Sequence, residues 1–150
     1  EASNPNLSFG APSSNANCTG GTGGAPHIYL SSTGGTKGVY TASSTTTFFQ
    51  SIGTTTAADG TGWLPVNFAN IATLNLTTLP RDPTNTNIDI SPGYYYSYAC
   101  TSNNTYEINT RFEYSGNATD MTNDGGSSNY LYEVGTAKSI VDNPSTVWYR

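Results

Sequence analysis

The residues that could do chemistry are few, and their spacing limits what chemistry is open to them. His27 is the only imidazole, in the apolar run His27-Ile28-Tyr29-Leu30. No Gly-x-Ser-x-Gly elbow is present, so a Ser-His-Asp triad would rest on this one residue. A structural place in a strand is the simpler reading. Glu107 and Glu113 would fall on one side of an extended strand, as paired glycosidase carboxylates can. Six residues at roughly 3.3 Å each set their backbones about 20 Å apart, whereas working pairs lie about 5 to 9.5 Å apart. Arg111 lies between them, so a solvated row of Glu107, Arg111 and Glu113 is expected. The cluster Gly20-Gly21-Thr22-Gly23-Gly24 lacks the Gly-Lys-Ser/Thr ending of a phosphate-binding loop. No reaction centre emerges, and the chain reads as non-enzymatic.

Cys18 and Cys100 are the only cysteines, 82 positions apart. They form no Cys-x-x-Cys pair, and one His cannot complete a zinc site with them. A disulfide is the better reading, with two unrelated buried thiols as the other. If formed, it would close a long loop, contribute roughly 4 kcal/mol and point to an oxidising compartment. Asp120-Met121-Thr122-Asn123-Asp124-Gly125-Gly126 gathers oxygen-bearing side chains and two glycines. Calcium takes six to eight oxygens, but the EF-hand spacing and its closing Glu are missing. A metal loop and an ordinary Asx-rich turn both stand on composition.

Positioning these groups falls to 150 residues, enough for one domain with a single modest core. Apolar residues are 35% of the chain and aromatic residues 12%, so burial must rest on a few large rings, chiefly among 11 tyrosines. Ser and Thr exceed a quarter of the residues, and helix formers are scarce. The fold class is mainly β, an antiparallel sheet with long Gly/Thr/Asn-rich loops. Net charge is −5, and Lys37, Arg81, Arg111, Lys138 and Arg150 are scattered singly. Nucleic acid, which needs clustered cations, is not expected as a partner, and an acidic membrane surface is disfavoured likewise.

Residues 1–26 read as a loop. His27–Leu30 reads as a strand, and Val39-Tyr40-Thr41 beyond Gly34-Gly35 reads as its hairpin mate. Thr45–Ile52 is open between a short helix, from Phe48, Phe49 and Ile52, and a strand, from its Thr run. Asp59–Gly62 is a turn, and Asn67 is placed to cap a helical turn bearing Phe68, Ile71 and Leu74. Pro80 and Pro83 make the next stretch stiff and extended. In the tyrosine run, Tyr94, Tyr96, Tyr98 and Cys100 share one face, and Tyr95, Ser97 and Ala99 the other. That run reads as core or subunit contact, with a carbohydrate platform as the other reading. Thr101–Thr105 turns into a half-buried strand with Tyr106, Ile108, Phe112 and Tyr114 inward and Glu107, Asn109, Arg111 and Glu113 outward. Tyr95, Glu107, Arg111 and Glu113 are therefore the surface candidates. Ser115–Asn129 reads as loop, Tyr130–Val134 as a third strand, and the tail to Arg150 as room for an edge strand.

Taken in order, these segments resemble a known family. The first are Gly62-Trp63-Leu64-Pro65-Val66-Asn67-Phe68, Leu79-Pro80-Arg81-Asp82-Pro83-Thr84-Asn85 and Tyr94-Tyr95-Tyr96-Ser97-Tyr98. Thr105-Tyr106-Glu107-Ile108-Asn109-Thr110-Arg111-Phe112-Glu113, Asp124-Gly125-Gly126 and Leu131-Tyr132-Glu133-Val134-Gly135-Thr136 follow. The pattern resembles the C-terminal globular domain of bacterial type IV pilin-like proteins, nearest to the type II secretion pseudopilins. It spans roughly residues 58–136 of a single domain 1–150, with 1–57 a variable loop-rich region and 137–150 a tail.

The resemblance implies a non-catalytic filament subunit at the cell surface, outside the cell or in the periplasm. In the family an apolar N-terminal helix anchors the precursor in the membrane, and an antiparallel sheet lies on that helix's second half, which makes the whole fold α+β. A separate ATPase and a prepilin peptidase serve assembly. The 150 residues hold no such helix. It is expected from a preceding segment or from another chain, and membrane contact would come only through it. The resemblance also implies calcium at Asp120, Asn123 and Asp124. The alternative is a secreted carbohydrate-binding or adhesive β-domain that uses exposed tyrosines.

Overall fold

The structure, a computed structural model, describes residue 18 and residues 27–34, 39–42, 46–68, 74–88, 92–101 and 105–141, with backbone alone at 39–42 and 46–51. Six strands form one sheet: β1 (His27–Leu30), β2 (Val39–Ala42), β3 (Thr46–Ile52), β4 (Ser97–Cys100), β5 (Tyr106–Thr110) and β6 (Tyr132–Gly135). Their order is β2-β3-β1-β4-β5-β6. The domain is mainly β, as its Thr- and Tyr-rich composition requires. Four of the pairings are antiparallel, and β1 runs parallel to β3.

That parallel pair corrects one expectation. Val39–Ala42 is not the mate of His27–Leu30; it pairs with Thr46–Ile52, which inserts itself between them. Thr46–Ile52 is thereby a strand, as its β-branched threonines favour. A second correction falls in Ser115–Asn129. A 3-10 turn at Ser115–Asn117 runs into a short helix, α1 (Ala118–Thr122), which buries Met121. The helical turn expected after Asn67 and the edge strand of the tail involve residues 69–73 and 142–150, outside the described residues.

Strand parity divides the core in two. Tyr95 and Ala99 join Ile28, Leu30, Ile88, Leu131, Ile140 and Val141 on one face. Tyr98 and Cys100 join Tyr29, Trp63, Leu64, Val66, Leu79 and Cys18 on the other. The alternation read in the tyrosine run is therefore the partition of the core, and both faces of β1 and β4 are covered. The second face is roofed by residues 55–68 and 74–80, joined by Trp63 N to Thr55 O (2.7 Å), Leu79 N to Thr56 O (2.6 Å) and Phe68 N to Ala58 O (2.8 Å). Trp63 closes it by donating Nε1 to Pro80 O at 3.0 Å. The proline stretch then turns at Asp82, whose Oδ1 accepts Thr84 N (2.8 Å) and Asn85 N (3.1 Å). Asn85 takes φ 38° there, a left-handed conformation that Asn tolerates. Under the roof, Cys18 is bonded to Cys100 with Cα atoms 4.9 Å apart.

Strand β5 alternates with the predicted period but the opposite polarity. Glu107 and Asn109 are fully buried, while Tyr106 and Ile108 are exposed. The cause is the chain that lies over this end of the sheet. Residues 138–141 bring backbone N–H groups with no strand to receive them, and a buried N–H must find an acceptor. Glu107 supplies it: Oε2 accepts Ile140 N at 2.6 Å and Val141 N at 3.1 Å. An apolar side chain there would leave both donors orphaned.

Candidate functional site

Register explains how two carboxyl groups meet in the interior. Asn109 stands opposite both Ser97 on β4 and Glu133 on β6, while Glu107 stands opposite Ala99 and Gly135. Glu107 and Glu133 are thus diagonal neighbours on one face, within reach of each other through their long side chains. Both are fully buried, as is Asn109. Glu133 Oε2 accepts Ser128 N at 2.7 Å, and Ser127 Oγ lies 3.4 Å from Oε1.

Burial pushes both carboxyl groups up from the ordinary range. For Glu107 the N–H groups of Val141 and Ile140 oppose that rise. Glu133 is raised to about 7, chiefly by burial, with the Ser128 N–H opposing and the charge of Glu107 adding. The two carboxyl groups act on each other as well, so the pair holds a proton beyond the ordinary carboxylate range. Glu107 Oε1 is buried with no hydrogen-bond donor among the described residues, so a proton on the neighbouring carboxyl group would have an acceptor there. Asn109 lies beside Glu107 and favours its ionised form, but neither of its amide atoms makes a hydrogen bond of ordinary geometry.

The cover over this pair is built from the acidic loop. Asp124 Oδ1 accepts Gly126 N at 2.7 Å, and Oδ2 accepts Glu133 N. Lys138 Nζ donates to Asp124 O, and Ser127 N donates to Lys138 O at 3.1 Å. Gly126 runs so close to Glu133 that a Cβ would overlap its carboxyl group; this is the steric need behind Asp124-Gly125-Gly126. Gly135 likewise leaves no room for a Cβ against the backbone of Tyr106 and Glu107.

Asp120, Asn123 and Asp124 do line one pocket, of about 430 Å³, together with Phe112 and Tyr132. The residues present do not fit calcium. Both Asp124 carboxylate oxygens already serve backbone N–H groups, and the Lys138 ammonium occupies the loop's own carbonyl. Among the described residues no group of three or more His, Cys, Asp or Glu converges as metal ligands, and calcium requires six to eight oxygens. The positive charge that stiffens this loop is a lysine.

The remaining predicted surface residues are dispersed. Tyr95 is fully buried in the core, so it is no surface residue, and neither is Glu107. Arg111 is half-buried, and Glu113 is exposed and accepts Thr84 Oγ1. The solvated row of Glu107, Arg111 and Glu113 does not form. His27 stacks on Tyr29 with ring centroids 4.4 Å apart, and burial lowers its pKa. From there aromatic rings cross the sheet: Tyr29 lies 6.4 Å from Tyr98, and Tyr98 stacks on Tyr106 at 6.1 Å. Burial pushes the Tyr29 hydroxyl up to about 12 and raises Tyr98 further, so both remain neutral.

That aromatic row ends at an apolar strip that stays exposed among the described residues. Ile108 and Val134 face each other in register, at 37% and 38% exposure, beside Tyr106 at 38%. Thr110 pairs with Tyr132 one step along, and Tyr132 packs on Phe112 at 5.1 Å. Reasoning from the sequence placed the Ile108 side inward and so missed both the strip and the pair behind it. The signal was available in two adjacent strands that each carry a lone Glu between apolar residues, Tyr106-Glu107-Ile108 and Tyr132-Glu133-Val134. No protein-family profile, curated protein or solved structure matches this chain.

Proposed function

We propose that this domain is a structural, non-catalytic subunit of an extracellular or periplasmic filament of the type IV pilus or pseudopilus kind. The observation that carries this reading is the Tyr106–Ile108–Val134 strip, an exposed apolar surface across two paired strands of an acidic domain. Apolar surface rimmed by polar residues marks a contact with another protein. In the family that the sequence resembles, the sheet lies against the helical core of the filament, and this strip is the surface we assign to that contact. The helix is supplied by a preceding segment or by another chain. The Cys18–Cys100 bond suits an oxidising compartment. The carboxyl groups of Glu107 and Glu133, which burial raises, are sealed from any substrate.

A second reading, a secreted adhesive or carbohydrate-binding β-domain, draws on the pocket where Phe112 and Tyr132 stand beside Asp120, Asn123 and Asp124. Rings of that kind stack on sugar faces while carboxylates and amides receive hydroxyls. The coding sequence ahead of Glu1 separates the two. The filament reading expects a short basic leader followed by an apolar helix of about 20 residues or more. A plain cleavable secretion signal there would overturn it and favour the adhesive domain.

A further inference from the structure

The face behind the apolar strip holds the one feature that a mechanical subunit does not need, a buried pair of acids. We infer that Glu107 and Glu133 form a one-proton site whose occupancy clasps residues 124–128 and 138–141 over the sheet. This inference does not rest on the filament reading.

The geometry supports it at each atom. With one proton, Glu133 donates to Glu107 Oε1, and Glu107 Oε2 keeps the N–H groups of Ile140 and Val141. Glu133 Oε2 keeps Ser128 N. Every carboxyl oxygen that faces the cover then has a role, and the pair carries a single negative charge against three backbone N–H groups. Without the proton, two negative charges lie side by side out of water, an arrangement that like-charge repulsion and burial both oppose.

Among the described residues, no cation belongs to the groups that shift either carboxyl. On β5 and β6 the charged groups facing the pair are its own two members, and Asn109 is neutral. From the loop, Asp124 turns its carboxylate to Gly126 N and Glu133 N. From the last segment, Lys138 sends its ammonium to Asp124 O and not to either glutamate. Ser97 and Ala99 on β4 carry no charge. Relief must come from water, and water reaches the pair only if the cover lifts. Ionisation of the pair and release of residues 138–141 are therefore one event.

The direction of the pH effect follows from where the proton is held. Glu133 keeps its proton to about pH 7 in the fold, against an ordinary 4.5. Between those values the folded chain binds more protons than the unfolded chain, so stability falls as pH rises and levels off above about 7. Two groups act in the opposite sense: Asp59, whose carboxylate Thr61 holds low, only near and below its ordinary range of about pH 4, and His27, whose pKa burial lowers, below its ordinary value of about 6.5.

The test is a set of thermal melts from pH 5 to 8.5 on the wild-type domain, Glu133→Gln and Glu107→Gln. The wild type is expected to lose roughly 5–10 °C across the interval. Glu133→Gln, whose amide N–H can replace the shared proton, is expected to flatten that dependence and to melt higher than wild type at pH 8.5. A wild-type Tm that is flat or rises from pH 6.5 to 8, above the range in which His27 contributes, or a Glu133→Gln variant with the wild-type slope, overturns the inference. Should the variants not fold, carboxyl carbon NMR of the wild type decides: a Glu133 titration centred near 7 supports the site, and one near 4.5 removes it. Amide exchange at Ile140 and Val141 gives the structural arm, with protection falling at least tenfold between pH 6 and 8.5 if the cover lifts and unchanged if it does not.

Discussion

Reducing the Cys18–Cys100 bond is expected to lower the unfolding free energy by about 4 kcal/mol, with a fall in Tm of roughly 10–15 °C. The bond closes 82 positions of chain, and in the chain-entropy account long loops constrain the unfolded state most. Against a typical stability of about 5–15 kcal/mol this is a large share. It also ties residue 18 to the end of β4, where His27 N donates to Cys18 O at 3.2 Å. Denaturant melts with and without a reductant would measure it, alongside a Cys18→Ala/Cys100→Ala double variant. A difference below about 1 kcal/mol would mean that the cross-link adds little to what the roof already supplies.

Trp63→Ala should cost about 4 kcal/mol, within the range for truncating a buried aromatic. Trp63 is 6% exposed, sits among Tyr29, Leu64, Val66, Leu79 and Tyr98, and donates its indole N–H to Pro80 O. Truncation therefore opens a cavity and orphans a carbonyl acceptor at once. Because Cys18 and Cys100 lie in the same cluster, the losses from reduction and from Trp63→Ala are not expected to add. Equilibrium unfolding of the single and combined variants would measure both the cost and the coupling; strictly additive losses would place the two features in independent parts of the fold.

Much of the fold was legible, for identifiable reasons. The Tyr94–Cys100 alternation carries its own partition, because rings and small residues alternate and each set has a core to enter. Cys18 and Cys100 could be paired by elimination. Thr46–Ile52 was ambiguous because Phe48, Phe49 and Ile52 suit a helix face while the threonines suit a strand. The parallel contact of β1 with β3 was not legible, since neighbouring strands suggest hairpins and nothing local encodes an insertion. The polarity of β5 was read the wrong way round for a deeper reason. Local hydrophobicity favours Ile108 inward, but the N–H groups of Ile140 and Val141, over thirty residues away in sequence, need Glu107 there. Buried hydrogen-bond supply outweighed apolar burial at that one strand, and no window of the sequence contains both terms. The acidic loop misled in a similar way. Asp120, Asn123 and Asp124 do come together, yet Asp124 serves the backbone and Lys138 stands where a metal would be sought.

That reversal joins the two features of the β5–β6 edge. With Glu107 and Glu133 held inside by the cover, Ile108 and Val134 are turned outward, and the strip proposed as the filament contact is the other side of the carboxyl pair. Its residues are exposed enough that charges there should leave the fold intact, whereas a row of lysines on strand surfaces opposes apolar docking. The direct measurement is the fate of an Ile108→Lys/Val134→Lys chain in the cells that produce it, followed by immunogold labelling and sedimentation of sheared surface filaments. The expected result is a double variant exported at wild-type levels, melting within a few degrees of wild type, and absent from filaments that the wild-type chain labels. A double variant that enters filaments as well as the wild type, or a wild-type chain that labels none, would contradict the account.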